Sequence, residues 1–367
     1  MSSAVVSRET IDPPWPQSDV NNVQVNALSV DELFALYDRT GFLYPAKAAR
    51  LTPHMSLVRE NWRRLLQAGD SLLYVLTAGD QQHGQASVAI WRTTLDSWVW
   101  QHLVCEGNPL RSRAVMLGGM DRCTRLGVAE SQQNWFRPEN RFPSRVFGSV
   151  EQVVGESFSS IRRHMYFAVP KRARVQRART VDTVPYDPSQ HQALCDVAAR
   201  ARGQVYVTAE ELDRDVGLRS VDRLYRRVGL RRSREVWLAY RAGSDDALGA
   251  AIAYRGPLGL NFSFVENRCD LLLDPGLSDA DAAAVSAALM QEAMAAYADF
   301  ELDDVHVVAD RPAASALYAI GGQFLRNYCQ GIWLKDGHAR LYRHVDHCYA
   351  RLLTRIERRG VPSTLSV

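Results

Sequence analysis

The sequence predicts an α/β protein with a mixed sheet, built from two tandem domains of the same kind. Its 367 residues suit two domains of ordinary size, because a single hydrophobic core rarely grows beyond about 300 residues. Hydrophobic periodicity predicts the order strand, two helices, three strands, helix and further strands in the first half. The same order recurs in the second half, and such recurrence indicates duplication of one supersecondary unit.

In the first half, Ser29 is predicted to cap a helix with Asp31 and Glu32 in its first turn, where negative charge is favourable. Gly127 is the expected end of a later helix, since glycine is common just past a helix C-terminus. Further helices are predicted at 55–68 and 110–127. The strands of this half are predicted at 23–28, 71–78, 85–93, 96–105, 133–136, 145–147 and 165–169.

In the second half, Ser278 is predicted to cap a helix at 279–300, whose stripe of Val285, Leu289 and Ala293 faces a core. Thr208 is predicted to cap another helix. Further helices are expected at 188–202, 313–320 and 338–358. The strands of this half are predicted at 179–184, 237–241, 247–254, 262–273, 305–309, 324–328 and 331–335.

These elements divide the chain into five segments. In chain order they are a disordered lead-in, a first domain, a basic linker, a second domain and a C-terminal helix with its tail. Their predicted limits are 1–22, 23–170, 171–179, 180–337 and 338–367. The last helix is basic and amphipathic, which is typical either of packing within the chain or of a contact in a homodimer.

The composition excludes several classes of protein. Hydrophobic residues at 46% and charged residues at 23% are typical of a globular chain. The sequence contains no run of about 18 apolar residues, so no membrane span is predicted. The first residues lack the apolar core and cleavage site of a signal peptide, so we expect a cytoplasmic protein. The six cysteines are scattered singly, which predicts reduced thiols and no metal site.

Basic residues are clustered although the net charge is only +3. One group lies in the linker at 171–179, and a second, Arg226–Arg234, contains five arginines. Such runs attract phosphates, which allows a phosphate-bearing ligand at Arg226–Arg234. A charge run is also typical of a solvated face, and this alternative stays open.

The segment from Asp310 to Phe324, DRPAASALYAIGGQF, carries a family resemblance. Together with the element order, it is similar to the GCN5-related N-acetyltransferase (GNAT) superfamily, whose members commonly show Asn-x-x-Ala-x-x-Leu-Tyr before a Gly-Phe pair. The matching residues are Ala314, Leu317, Tyr318 and Gly322. Phe324 comes one place late, and Arg311 stands at the asparagine position.

The resemblance implies an acyl-CoA-dependent N-acyltransferase, in which an amine attacks the thioester directly. It implies a small-molecule amine as acyl acceptor and acyl-CoA as co-substrate, held where two central strands separate. Tyr318 matches the tyrosine that serves as the acid for the leaving thiolate. Glu266 occupies a strand position where the family often keeps a base.

In this family, backbone N–H groups at the start of the helix after the fourth strand hold the CoA diphosphate. In the second half that position contains Gly276 and Ser278, among aspartates that would repel a diphosphate. In the first half it contains Arg111 and Arg113, whose charge disfavours the helix unless an anion binds. The glycines of the family signature are largely missing in both halves.

Two functions therefore remain open. One is the acyltransferase, with its site in the second domain. The other is a catalytically degenerate tandem protein that binds a nucleotide or a partner in a regulatory role. The state of the central strands distinguishes the two: an open cleft favours the enzyme, whereas a cleft filled by Trp98, Trp100 or Trp237 favours the degenerate protein.

Overall fold

The computed structural model describes residues 22–125, 129–175 and 180–359. Its centre is one mixed sheet of twelve strands, in the spatial order β1-β2-β3-β4-β5-β12-β6-β11-β10-β9-β8-β7. The strands are β1 (Gln24–Val25), β2 (Leu73–Asp80), β3 (Gly84–Arg92), β4 (Ser97–Cys105), β5 (Ser131–Phe136), β6 (Ser159–Pro170), β7 (Val181–Pro185), β8 (Ser233–Arg241), β9 (Ala247–Arg255), β10 (Arg268–Leu273), β11 (Asp304–Ala309) and β12 (Gln323–Leu334).

Helices cover both faces of this sheet. In chain order they are α1 (Val30–Arg39), α2 (Pro45–Leu51), α3 (Met55–Gln67), α4 (Pro109–Arg125), α5 (Arg141–Phe147), α6 (Val150–Val154), α7 (His191–Arg202), α8 (Gln204–Ala209), α9 (Arg219–Arg226), α10 (Asp279–Ala296), α11 (Ala314–Ala319) and α12 (His338–Arg359). Among the helices of the described ranges, none has both the length and the apolar character that crossing a bilayer requires.

The two halves repeat one strand pattern, which confirms the predicted α/β class and the tandem arrangement. In the first half, β2, β3 and β4 are antiparallel neighbours, and β4 then pairs with β5 in parallel. In the second half, β8, β9 and β10 are antiparallel neighbours, and β10 pairs with β11 in parallel. A helix connects the two parallel strands in each half, α4 in the first and α10 in the second.

The two halves exchange their last strands. β12 lies between β5 and β6, and its residues Cys329–Leu334 pair antiparallel with β5. β6 in turn pairs antiparallel with β11, so that the last strand of the first half completes the sheet of the second. The two strands also pair with each other. The predicted domain limits describe the order along the chain, but each half of the sheet contains a strand from the other.

Two helix caps follow the predicted chemistry. Ser29 accepts a hydrogen bond from the Glu32 N–H, and the Glu32 carboxylate accepts one from the Ser29 N–H, which is a complete capping box. Ser278 caps α10 by accepting from the Asp281 N–H. The predicted stripe of α10 is buried as expected.

Several predicted elements are wrong in the structure. The strand expected at 145–147 is the end of α5, because Asn140 caps a helix there. Thr208 lies inside α8 and caps no helix. The strand expected at 262–273 begins only at Arg268, and the two strands expected after residue 323 are the single strand β12. Gly127 lies outside the described residues.

Three apolar clusters hold the layers together. One cluster spans both halves on a single face of the sheet and includes Trp62 from α3, Leu194 from α7 and Val221 from α9. On the other face, α4 and α12 cover the first half, and α10 and α11 cover the second. The apolar side of α12, with Leu341 and Val345 buried, packs on the protein itself. A homodimer contact through this helix therefore receives no support.

Candidate functional site

The strands β4 and β5 separate part-way along their length. Only Ser97–Trp100 of β4 pair in parallel with Ser131–Asn134 of β5, although β4 continues to Cys105. A β-bulge in β4 marks the separation, because two β4 residues lie opposite Val88 of β3 there. At this bulge His102 has a φ of 56°, a left-handed conformation that few residues other than glycine adopt.

A cavity of about 170 Å³ occupies the gap between the separated strands. Trp100 and His102 of β4 line one side, and Asn134 and Trp135 of β5 line the other. The lining includes members of the apolar clusters on both faces of the sheet, such as Met116 on the α4 side and others beside α1. The cavity therefore lies where side chains of both faces of the sheet meet.

The second half of the chain completes the wall of this cavity. Phe262 and Ser263, from the connection between β9 and β10, line it. Arg326 and Tyr328 of β12 line it as well, because the strand exchange places β12 beside β5. The site therefore contains residues from distant segments in both halves of the chain.

Three cationic side chains line the cavity, Lys47, Arg137 and Arg326, and its lining contains no carboxylate. The Lys47 ammonium donates to the Phe42 carbonyl oxygen at 2.9 Å and lies 3.6 Å from the centre of the Phe42 ring. Arg326 donates to the Tyr44 hydroxyl at 3.0 Å. Burial, and then the charges of Arg137 and Arg326, lower the pKa of Lys47 to about 7.

His102 is a neutral group in this wall. Its side chain is buried against aromatic rings, with the Phe262 ring centre 4.3 Å away and the Trp62 ring stacked on it at 5.6 Å. Neither ring nitrogen has a hydrogen-bond partner among the described residues. Burial holds the pKa of His102 well below its usual value, so the imidazole carries no charge at neutral pH.

Comparisons with known proteins give a likeness in structure only. No protein-family model matches the sequence, and no curated protein matches it. Among solved structures, a tandem GNAT protein from the clavulanic acid biosynthesis pathway matches with a TM-score of 0.41 at 10% identity, over 85% of this chain and 98% of that one. A GCN5-related N-acetyltransferase from Sphaerobacter thermophilus matches with a TM-score of 0.40 at 13% identity, over 86% and 96% of the two chains.

A GCN5-related N-acetyltransferase-like protein from Streptococcus suis matches with a TM-score of 0.35 at 14% identity, over 78% and 99% of the two chains. At these identities and TM-scores the likeness concerns the fold and says nothing about substrate or activity.

The first-half position that holds the diphosphate in a GNAT is occupied by contacts within this chain. Arg111 donates to the His83 carbonyl oxygen at 2.6 Å. Arg113 forms an ion pair with Asp346 of α12 at 2.7 Å. The Asn108 side chain accepts from the Leu110 N–H, one of the free donors in the first turn of α4. The role of Arg111 and Arg113 as cofactor-binding residues stays a prediction.

In the second half the corresponding loop is also satisfied internally. The Gly276 N–H donates to the Asp274 carboxylate at 2.8 Å. The Ser278 hydroxyl accepts from the Asp281 N–H at 3.2 Å and donates to the Asp281 carboxylate at 2.9 Å. The N–H groups that a GNAT offers to a diphosphate therefore already have carboxylate or hydroxyl partners, and the roles of Gly276 and Ser278 stay predictions.

The strands β10 and β11 separate as well, since they pair only at Arg268–Asp270 and His306–Val308. Beyond this point, however, Leu271 and Leu273 of β10 join Leu317 of α11 in one buried apolar cluster.

The two predicted catalytic residues of the second half lie apart from the cavity. Tyr318 is 52% exposed, and its ring packs edge-on against Phe167 with the centres 5.3 Å apart. Glu266 lies in a single helical turn, Val265–Asn267, instead of the predicted strand. It is buried and forms an ion pair with Arg232 at 2.8 Å. Among the described residues no contact joins Tyr318 to Glu266, and both roles stay predictions.

The arginine group Arg226–Arg234 does not form a single exposed surface. Arg232 and Arg234 are buried, and Arg234 donates to backbone carbonyl oxygens, among them that of Val216. Arg226 forms an ion pair with Asp222 one helical turn away at 2.6 Å. Three of the five guanidinium groups thus have partners inside the protein, and only Arg227 and Arg231 are exposed without a described side-chain partner. The predicted phosphate ligand receives no support from this geometry.

Sequence reasoning missed the cavity residues Lys47, His102, Arg137 and Arg326. No local spacing connects them, because β-strand exchange and two loops bring them together over long distances in sequence. One signal was present: Lys47 is one of only three lysines in a chain with 44 basic residues.

Proposed function

We propose that the protein is an acyltransferase that moves an acyl group from acyl-CoA to an amine, and that the gap between β4 and β5 is the reaction site. The observation that carries the proposal is a cavity at a β-bulge, between strands that separate there, with a lining drawn from both faces of the sheet. A thioester bound from the α4 face and an amine bound from the α1 face would meet inside it.

The tryptophans that would have filled a degenerate cleft leave this gap open. Trp98 stacks on Tyr74 with the ring centres 5.0 Å apart. Trp100 forms one wall of the cavity and packs against Gly119, where an added Cβ would come within 2.8 Å of its ring. This arrangement supports a binding cleft in the first half, whereas apolar packing supports a structural role for the second half.

The residues of the cavity offer the required proton chemistry. Beyond Trp100, the β4 backbone groups that face β5 have no strand partner, so an N–H there can stabilise the oxyanion that forms on the thioester carbonyl. Lys47, with a pKa of about 7, is half neutral at neutral pH and can accept the amine proton. Burial raises the pKa of Tyr328, which keeps its hydroxyl protonated as a donor for the leaving thiolate.

The fit to acyl-CoA is good at the acyl end and requires a rearrangement at the diphosphate end. A cavity of about 170 Å³ between two strands is large enough for a short acyl group. The residue placed to meet a phosphate is Arg111, in the first turn of the 17-residue helix α4, and it would exchange its bond to the His83 carbonyl for one to the phosphate.

The test measures thiol release from acetyl-CoA with a panel of amines. We expect turnover with the full chain and a loss of about a hundredfold or more in kcat for Lys47→Met, the range that general bases contribute. Lys335→Met is the matched control, because Lys335 pairs with Glu130 away from the cavity, and it should keep full activity. Absence of both turnover and CoA binding in the unmodified protein would overturn the proposal.

A further inference from the structure

We propose that the cavity binds a small organic carboxylate with an apolar or aromatic body, and that Arg137 and Arg326 hold the carboxylate. The inference deepens the proposed function, since it names the substrate class of the same site. The binding it describes does not require turnover and is tested without it.

The charge balance of the cavity is the first argument. Its lining contains three cations and no carboxylate, and within the described ranges none of the three forms an ion pair. Their contacts are with neutral groups: the Phe42 carbonyl, the Tyr44 hydroxyl and the faces of aromatic rings. Arg137 is exposed, whereas Lys47 and Arg326 are partly buried. Partly buried cations without a counter-charge are costly, because each has lost hydration that neutral partners replace only in part. An anionic ligand would supply the missing charge.

The shape of the cationic groups is the second argument. Two of them are arginines, whose planar guanidinium groups match the two oxygens of a carboxylate. Other arginines in buried positions of this protein do have such partners, as Arg268 has in Asp270 at 2.9 Å and Arg232 has in Glu266. The deeply buried Arg232 and Arg268 thus pair with carboxylates of the chain, whereas Arg137 and Arg326 have no carboxylate partner among the described ion pairs.

The remaining wall determines the body of the ligand. Aromatic rings surround the gap, including Trp100, Trp135, Phe136 and Phe262. Such rings contribute apolar area and stack on planar groups. A volume of about 170 Å³ favours a small acid. One further lining group, the buried Asn134 side-chain oxygen, has no hydrogen-bond partner among the described residues and can accept from an amine.

Two molecules of the reaction could carry this carboxylate. It could belong to the acceptor, as in an amino acid with an aromatic side chain, or to the acyl group of a dicarboxylic acyl-CoA. The cationic side chains would bind the carboxylate of either molecule through the same charge-assisted hydrogen bonds.

The first experiment measures binding by tryptophan fluorescence, since Trp100 and Trp135 line the cavity. The probes are 3-phenylpropionate, its neutral amide and 3-phenylpropylamine, which share one body and differ in charge. We expect the carboxylate to bind roughly tenfold or more tighter than the amide, the value of charge-assisted hydrogen bonds, and the amine to bind weakest. Equal affinity for acid and amide, or tighter binding of the amine, overturns the inference.

Variants locate the site. Arg326→Gln and Arg137→Gln should each weaken carboxylate binding several-fold and leave amide binding within about twofold. Arg241→Gln, which removes an exposed arginine of β8, is the matched control and should change neither. Carboxylate binding that all three variants retain unchanged contradicts the assignment. Circular dichroism checks that each variant is folded, and the ligand series on the unmodified protein does not depend on any variant.

Turnover then identifies the molecule that carries the carboxylate. One arm compares phenylalanine with phenylalaninamide as acceptors of acetyl-CoA, and the other compares glutaryl-CoA with butyryl-CoA on a neutral amine. A preference for the acid in either arm supports the inference and names the source. Selective carboxylate binding without turnover in both arms would refute the acyltransferase and leave the binding site established, so the two proposals fail separately.

Discussion

The pKa of Lys47 is the most direct measure of the charge arrangement in the cavity. Burial is the largest cause of its displacement from 10.5 to about 7, and the charges of Arg137 and Arg326 follow. A unit charge several ångströms away in a partly buried site contributes on the order of 1–2 kcal/mol, and 1.4 kcal/mol corresponds to one pKa unit. Arg326→Gln should therefore raise the pKa of Lys47 by about one unit. The double variant Arg137→Gln/Arg326→Gln should raise it further but leave it below 10.5, because burial remains.

The small number of lysines makes this measurement simple. Lys47, Lys171 and Lys335 are the only lysines in the sequence. Reductive methylation with ¹³C-formaldehyde labels each of them and keeps the amine titratable, and NMR then follows three resonances as a function of pH. The substitution Lys47→Arg assigns the resonance by its disappearance. Lys171 and Lys335 serve as internal controls, because they donate to a carbonyl and to a carboxylate outside the cavity and should not respond to the arginine variants.

A titration of Lys47 near 10.5 in the unmodified protein would refute the reasoning, since it would mean that the ammonium is fully hydrated. If the pKa of Lys47 is about 7 in the unmodified protein and both arginine variants leave it unchanged, only the contribution assigned to the arginine charges is refuted. In that case burial would account for the whole displacement, and the cationic cluster would have to be abandoned as a recognition element.

Three further predictions concern stability, each measured by urea unfolding. Glu266→Gln should lower the free energy of unfolding by about 3–5 kcal/mol, because it leaves the buried arginine partner without a counter-charge; a stable but inactive variant would contradict this structural role. Gly119→Ala should cost about 1–3 kcal/mol through overpacking against a tryptophan ring, and a neutral effect would show that the ring moves freely. Burial lowers the pKa values of His164, His306 and His338 to about 4, 3 and 4, so between pH 6.5 and 4 the unfolded chain binds more protons and the free energy of unfolding should fall on acidification. A flat profile across this window would exclude neutral buried histidines.

Local chemistry made part of the fold predictable. Ser29 and Ser278 are helix caps in the structure as in the sequence analysis, since a cap depends on residues three positions apart. The antiparallel neighbours around β3 and β9 were also predictable, because alternation and short turns are local signals. Glu266 was wrongly assigned to a strand, because an apolar run predicts a strand even where the chain forms a helical turn.

The site was beyond the reach of such signals. Lys47 belongs to α2, Arg137 follows β5, and Arg326 lies on β12, nearly two hundred residues further along the chain. No periodicity in the sequence predicts that β12 pairs with a strand of the other half, because the pairing of a strand depends on the whole topology. For the same reason the sequence analysis placed the reaction site in the second half, where the family motif lies.

The position of β12 determines when the cavity can exist during synthesis. Arg326 and Tyr328 reach the ribosome exit after every other residue of the wall, and the first half has a gap beside β5 until they arrive. A nascent chain that has completed only the first half therefore has an unpaired β5 edge and no ligand site. The ligand site and the sheet are thus completed in the same step. A product truncated before β12 would lack the binding site as well as its last strand.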